Sequence, residues 1–273
     1  MSKAYKARRT ALYVPASNPR ALEKARGLDT DVIILDLEDA VASEDKTRAR
    51  DAAMKVARDF APREFVIRVN AAVTPWHEGD MKAAVAAAPD AILLPKVSSA
   101  EEVIMARAGA GNVALWAMIE TPRSVFHALE IADAGVECLV LGVNDLVNAM
   151  NGRHRTDRAN LHAAMSATVL AARAAGIGAL DGVHNALDDS AGFARACAEA
   201  RDFGFDGKSV IHPSQLAPAK AAFSPSMDEV AYARRVLAAF AAAPGKGVVT
   251  LDRRMLEALD ADIARRILAR AGL

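Results

Sequence analysis

The sequence predicts an α/β protein, a TIM (β/α)8 barrel with a C-terminal helical extension, and three observations carry that expectation. Short apolar or β-branched runs alternate with helix-patterned segments along most of the chain, the order that produces parallel strands joined by crossover helices. Eight such runs can be counted, the strand number of this barrel. At 273 residues the chain also has the length of one such unit.

The elements follow in order. A run at 11–14 precedes a helix over 22–26; 31–37 precedes 46–60; 64–70 precedes 81–88; and 90–95 precedes 100–108. The run 113–119 leads to a helix at 125–134, 136–142 to 158–175, and 177–180 to 191–203. After the eighth run, 207–211, three more stretches have helical spacing, at 213–222, 228–243 and 256–271. The expected organisation is a barrel domain over 1–223 and a helical extension over 224–273. Within the extension, Pro244-Gly245-Lys246-Gly247 punctuates the chain before the apolar stretch 248–251, and the final piece is expected to pack on a neighbouring subunit. A doubly wound open sheet is the competing architecture, because periodicity alone separates it poorly from a closed barrel; the strand count favours the barrel.

Composition narrows the function classes. Hydrophobic residues make up 52% and charged residues 25% of the chain, enough to bury a sizeable core. Lysine plus arginine equals aspartate plus glutamate at 34 each, so no global basic field gathers nucleic acid or anionic lipid. Cys138 and Cys197 form no CxxC pair and fit a reducing compartment. The basic stretch 1–9 leads into no apolar signal core, and charged residues break every alanine-rich segment. The expected location is cytoplasmic.

Polar residues cluster at the carboxyl ends of the apolar runs, where a barrel places its active site. They are Asp36, Glu38 and Asp39; Arg68 and Asn70; Lys96; Glu120; Asn144 and Asp145; Asp181; and His212. An oxygen-rich convergence without a Cys or His cluster favours a hard divalent cation, and Mg²⁺ takes one or two carboxylates with waters and substrate oxygens. Glu120 and Asp145 are the expected pair, although each also stands where a helix N-cap would. Lys96 reads either as a Schiff-base nucleophile or as a structural ion pair, the latter preferred. His212 reads as a buried, hydrogen-bonded residue before Pro213 rather than a base. Gly109-Ala110-Gly111-Asn112-Val113-Ala114 precedes a strand, the reverse of a dinucleotide loop, and His77-Glu78 lacks the second histidine of a zinc motif.

Seven stretches in order carry a resemblance: 12–20 (Leu12-Tyr13-Val14-Pro15 onward), 35–41 (Leu35-Asp36-Leu37-Glu38-Asp39 onward), Arg68-Val69-Asn70, Leu94-Pro95-Lys96, Ile119-Glu120-Thr121-Pro122, Asn144-Asp145-Leu146, and 204–215 through Ile211-His212-Pro213. Together they resemble the citrate lyase beta-subunit-like family of the HpcH/HpaI aldolase superfamily, which includes malyl-CoA and citramalyl-CoA lyases. The resemblance implies a barrel with Mg²⁺ held by Glu120 and Asp145. It implies that Arg68 meets a substrate carboxylate or thioester oxygen beside Gly142 and Asn144, and that Glu38 and Asp39 hold metal-bound waters. Arg20 and Lys24 are implied as partners of the CoA phosphates. A late Asp-Gly-Lys/Arg-Met segment of that family supplies a catalytic aspartate to a neighbouring subunit; here it is Asp252-Arg253-Arg254-Met255, with Arg253 in the glycine position.

The expected function is therefore Mg²⁺-dependent carbon–carbon cleavage of a small 3-hydroxyacyl-CoA thioester of malyl, citramalyl or citryl type, in a homo-oligomer, trimer or hexamer. Four alternatives stay open. They are hydrolysis of malyl-CoA, free-acid cleavage of a 4-hydroxy-2-oxo acid, a citrate lyase beta subunit working with an acyl-carrier protein, and a non-catalytic binding barrel.

Overall fold

The computed structural model describes residues 6–56 and 59–273. Eight parallel strands close into a barrel: β1 (Thr10–Pro15), β2 (Val32–Asp36), β3 (Glu64–Arg68), β4 (Ala91–Leu94), β5 (Ala114–Ile119), β6 (Cys138–Leu141), β7 (Gly178–Asp181) and β8 (Gly207–Val210). Each pairs with the next, and Thr10 to Leu12 meet Lys208 to Val210 to complete the ring. The expected closed α/β barrel is what forms.

Period-two alternation along the strands decides what fills the interior. Ala11, Tyr13, Val32, Ile34, Val66, Leu93, Trp116, Met118, Cys138, Val140 and Leu180 form one buried cluster. Each large apolar side chain of that kind contributes about 1.5–3 kcal/mol by leaving water. The same parity carries past the apolar layer: two residues beyond Ile34, Val66 and Met118 stand Asp36, Arg68 and Glu120, so the barrel's upper layer is ionic.

The helices depart from the sequence expectation in instructive ways. α1 (Pro19–Ala25) starts earlier than expected because Asn18 caps it, its side chain accepting from the Ala21 N–H at 3.2 Å, and Pro19 takes the first turn. α2 (Lys46–Val56) is followed by 57–58, the part of the expected 46–60 helix that lies outside the described residues. α3 (His77–Ala87) and α4 (Ala100–Gly109) follow β3 and β4. The stretch expected as one helix at 125–134 is two, α5 (Pro122–Phe126) and α6 (Ala128–Asp133), parted at His127. α7 (Val143–Ala149) lies outside the expected helical stretches, and Asp145, expected where an N-cap would stand, falls inside its first turn. α8 (His162–Ala174), α9 (Ser190–Phe203) and α10 (Leu216–Phe223) complete the ring sequence.

The described residues divide into two compact units, Arg8–Lys220 and Ala221–Leu273 with Lys6 and Ala7, and the division falls inside α10. The second unit contains α11 (Met227–Ala241), an antiparallel pair β9 (Val248–Leu251) and β10 (Arg254–Glu257), and α12 (Ala258–Arg270). The helical expectation for 256–271 gives way at its start to β10, because Leu256 lies opposite Val249 in the hairpin and both enter the core beside Ala233, Val236 and Ala264. Asp252 and Arg253 form the two-residue turn, with φ of 50° and 64°. Positive φ at both positions is what a right-twisted hairpin requires, and it is where glycine is favoured. Arg253 keeps that turn at a cost of roughly 1–2 kcal/mol. No described helix is long and apolar enough to cross a membrane.

Candidate active site

Register sets the first contact. Asp36 and Arg68 are paired across β2 and β3. Arg68 donates from Nε to Asp36 Oδ1 at 2.7 Å and from Nη2 to Oδ2 at 2.6 Å. The backbone N–H groups of Glu38 and Ala40 also donate to Asp36, at 2.9 and 3.1 Å, so one carboxylate fixes both the arginine and the loop after β2. Burial pushes the Asp36 pKa up, but Arg68 and these donors outweigh it and hold the group ionised below its ordinary value. Arg68 also lies 2.9 Å from Glu38 Oε2 and 3.4 Å from Asp39, with its guanidinium 4.8 Å from the centre of the Tyr13 ring. Glu38 Oε2 is buried and has no hydrogen bond among the described residues, so its contact with Arg68 is charge attraction without aligned donor geometry.

Lys96 connects the remaining acids. Its φ of 55° is left-handed, a strained state of about 1–3 kcal/mol that recurs at functional sites. This turn sends its N–H to Glu120 Oε1 at 2.6 Å while Nζ reaches Glu38 and Asp145 at 2.8 Å each. Burial opposes the lysine charge, but hydrogen bonds to Asp145 and Glu38 outweigh it and raise the pKa. A permanently charged amine is a poor Schiff-base nucleophile, so the preferred ion-pair reading agrees with the geometry.

Glu120 is 2% exposed at the end of β5, and its pKa is pushed up to about 7 by burial, then by Glu38. Thr121 and Ser124 form the capping box of α5, leaving Glu120 outside the cap. Asp145 lies in the first turn of α7. Gly142 makes their meeting possible: a Cβ there would stand 2.4 Å from the Glu120 side chain.

Glu120 and Asp145, distant in sequence, line one cavity of about 290 Å³ with Tyr13, Asp39, Arg68 and Asn144. Gly142 and Asn185 also border it, and Asn185 donates to the Asn144 side chain at 2.7 Å. A wider, apolar cavity of about 780 Å³ lies between α3 and α4, lined by Met81, Val85 and Met105, and lacks this acid cluster. Among the described residues, no group of three or more His, Cys, Asp or Glu is arranged to hold a metal by itself. The donor set at Glu120 and Asp145 is two carboxylates with Glu38 adjacent, and mutual repulsion raises the affinity of Glu120 for a proton. That chemistry fits a hard cation completing its shell with water and substrate oxygens.

Other sequence candidates lie elsewhere. Arg20 and Lys24 are exposed on α1 and do not line the cavity. Asp252 sits in the hairpin turn of the second unit, ion-paired with Arg235. Asp181 points away from the interior and is buried against Arg158 and Lys208, so one expected rim acid is structural. Asn70 is buried and donates to Asp80 and Leu37. His212 is hydrogen-bonded, as expected, but exposed rather than buried; it caps a short 3-10 turn, its Nδ1 2.8 Å from Ser214 Oγ. Sequence reasoning missed Tyr13, Asn185 and the orienting role of Asp36, and it missed Lys46, whose Nζ donates to the Leu37 and Glu38 carbonyls at 3.0 and 2.7 Å.

The sequence pattern of HpcH/HpaI aldolase/citrate lyase matches residues 9–213, which span the whole barrel. The chain belongs to this family. Among its relatives, a (3S)-malyl-CoA thioesterase of Cereibacter sphaeroides is 44% identical over 269 residues, covering 96% of this chain and 94% of that protein. Citrate lyase subunit beta of Escherichia coli is 33% identical over 283 residues, covering 97% of this chain and 94% of its own. The crystal structure of CitE from Mycobacterium tuberculosis in complex with magnesium, acetoacetate and coenzyme A superposes with a TM-score of 0.82 at 34% identity, covering 97% of this chain and 98% of that one. The family assignment and the barrel expected from the sequence thus agree.

Proposed function

We propose that the chain is a Mg²⁺-dependent lyase that cleaves the carbon–carbon bond of a small 3-hydroxyacyl-CoA thioester, of malyl, citramalyl or citryl type. The observation that carries this reading is the meeting of Glu120, Asp145 and Arg68 in one cavity. Magnesium in complexes of the M. tuberculosis relative supports the cation.

Glu120 and Asp145 would hold the cation, and Asp39 on the cavity wall, with Glu38 tied to Asp145 through Lys96, would hold its waters. When bound, Mg²⁺ supplies Lewis-acid polarisation of substrate oxygens. Arg68, fixed by Asp36, binds the substrate carboxylate or the thioester oxygen on which charge develops. In the cleavage the hydroxyl proton passes to the Asp252 carboxylate, the carbinol carbon becomes a carbonyl, and the electron pair of the broken bond passes to the thioester enolate. Asp252, supplied by a second copy of the chain in a homo-oligomer, delivers the proton that the enolate carbon takes up. Arg20 and Lys24 meet the CoA phosphates outside the cavity.

A second reading, hydrolysis of malyl-CoA, is favoured by the thioesterase relative at 44% identity. Chromatography of products from malyl-CoA and Mg²⁺ separates the two. Acetyl-CoA with glyoxylate is the outcome expected for the lyase, whereas malate with free CoA overturns it in favour of hydrolysis. Glu120→Ala and Asp145→Ala should each abolish turnover with circular dichroism unchanged; normal turnover in either removes the cation assignment.

A further inference from the structure

On the outer side of β7 and β8, a separate cavity of about 310 Å³ opens between α9 and the segment preceding α8. Its wall includes Arg155, Arg158, His184, Arg195 and Lys208, against the single carboxylate of Asp189. That carboxylate is already engaged as the α9 N-cap, accepting from the Gly192 N–H at 2.8 Å. Other acids that neutralise these cations do not line the cavity. Asp181 takes Arg158 and Lys208, Glu199 lies 3.3 Å from Arg158, and Asp157 pairs with Arg155 at 2.6 Å. Arg195 is exposed, and no ion pair to it is found among the described residues.

His184 supplies the second observation. Its Nε2 is buried and has no hydrogen-bond partner among the described residues, a costly condition for a polar group that stays unsatisfied. Burial lowers its pKa first, and Lys208, Arg158 and Arg195 lower it further against the opposing pull of Asp189. An unpartnered imidazole nitrogen therefore sits in a positive field. The wall is built from the segments after β6 and β7, with Lys208 of β8 behind them.

We propose that this cavity binds a phosphate-type oxyanion, held by Arg195 and by the Nε2–H tautomer of His184 in the field of Arg158 and Lys208. The anion gives the imidazole its missing acceptor and Arg195 its missing counter-charge. Val143, Val183 and Asn185 border both this cavity and the active-site cavity, so an occupant lies one layer of side chains from the substrate. The shared chemistry has two sources, free phosphate or the 3′-phosphate of a CoA ester. The proposal stands independently of which reaction the neighbouring site performs.

The test measures thermal stability of the full chain with inorganic phosphate against chloride at matched ionic strength. At a hundredfold excess over Kd the expected rise in Tm is at least about 3 °C. Calorimetry should show phosphate binding weakened at least tenfold in Arg195→Glu, an exposed position that leaves the core intact, and in His184→Phe, and unchanged in Arg265→Ala, an exposed position on α12 that lines neither cavity. No phosphate-specific rise, or a rise that Arg195→Glu leaves intact, overturns the proposal. Competition then names the source: displacement of phosphate by CoA but not by 3′-dephospho-CoA supports the CoA phosphate, and simultaneous binding of both supports a free anion. Binding is read without turnover, so failure here is distinct from failure of the lyase reading.

Discussion

Asp36 and Arg68 face each other in the β2–β3 ladder and are joined by two hydrogen bonds, 2.7 and 2.6 Å long, at the upper end of the barrel interior. The pairing places a guanidinium at the cavity with its orientation already set. An arginine so held loses little further freedom when it meets a carboxylate or a developing oxyanion.

Removing one partner of that pair should therefore harm both folding and function. Arg68→Ala leaves Asp36 charged and buried, and urea unfolding should report a loss of about 3–5 kcal/mol. Arg68→Lys keeps the charge but not the fork; it should fold more stably than the alanine variant while raising KM or lowering kcat by tenfold or more. Because Asp36 titrates below its ordinary value of 3.8, its contribution is present above that pH and is lost as pH falls through the lowered value.

Glu120 has the opposite sign. Its pKa rises from 4.5 to about 7 on folding, so the metal-free protein is most stable below 4.5 with respect to this group and loses stability as pH rises to about 7. The full effect is on the order of 3 kcal/mol. Glu120→Gln should remove this slope in urea titrations run with chelator, whereas an unchanged slope would assign the titration to another group. Mg²⁺ should bind with proton release below pH 7, visible as buffer-dependent heat in calorimetry.

Gly142 tests the packing that joins the two acids. A Cβ at this position meets Glu120 at 2.4 Å, so Gly142→Ala should displace that carboxylate and weaken Mg²⁺ binding at least tenfold. Circular dichroism should stay native. Wild-type affinity in this variant would show that the Glu120 position is not critical to the cation.

Asp252 tests the shared site. Asp252→Asn should bind substrate normally but lose most of its rate, and mixing it with inactive Asp145→Asn should restore some activity through mixed oligomers. Absence of recovery after the subunits have exchanged would confine each reaction to a single chain.

Much of the barrel was legible because strand burial leaves a simple record: the runs around Ile34, Val66, Met118 and Val140 are apolar on both faces and short. The ionic layer was partly legible for the same reason, since parity alone puts Asp36, Arg68 and Glu120 on the inward side. Proximity to a strand end does not reveal direction, however, and Asp181 carries the opposite parity, which turned it toward Arg158 and Lys208. α7 escaped notice because its short helix begins at Val143, directly after β6, without a capping side chain from Gly142. The role of Lys46 was hidden because its partners are main-chain carbonyls, which no pattern of side chains announces.

The ribbon formed by β9 and β10 has no slack. With two residues closing it, the direction in which the Asp252 carboxylate leaves the tip is inherited from Leu256 and Val249, locked opposite each other inside the small unit. One extra residue in the turn would shift the ladder and rotate alternate side chains to the wrong face, expelling that leucine from its core. Re-aiming this acid therefore requires rebuilding the hydrophobic anchor beneath it, and under the role proposed for Asp252 a change made in that anchor would be read out as lost activity.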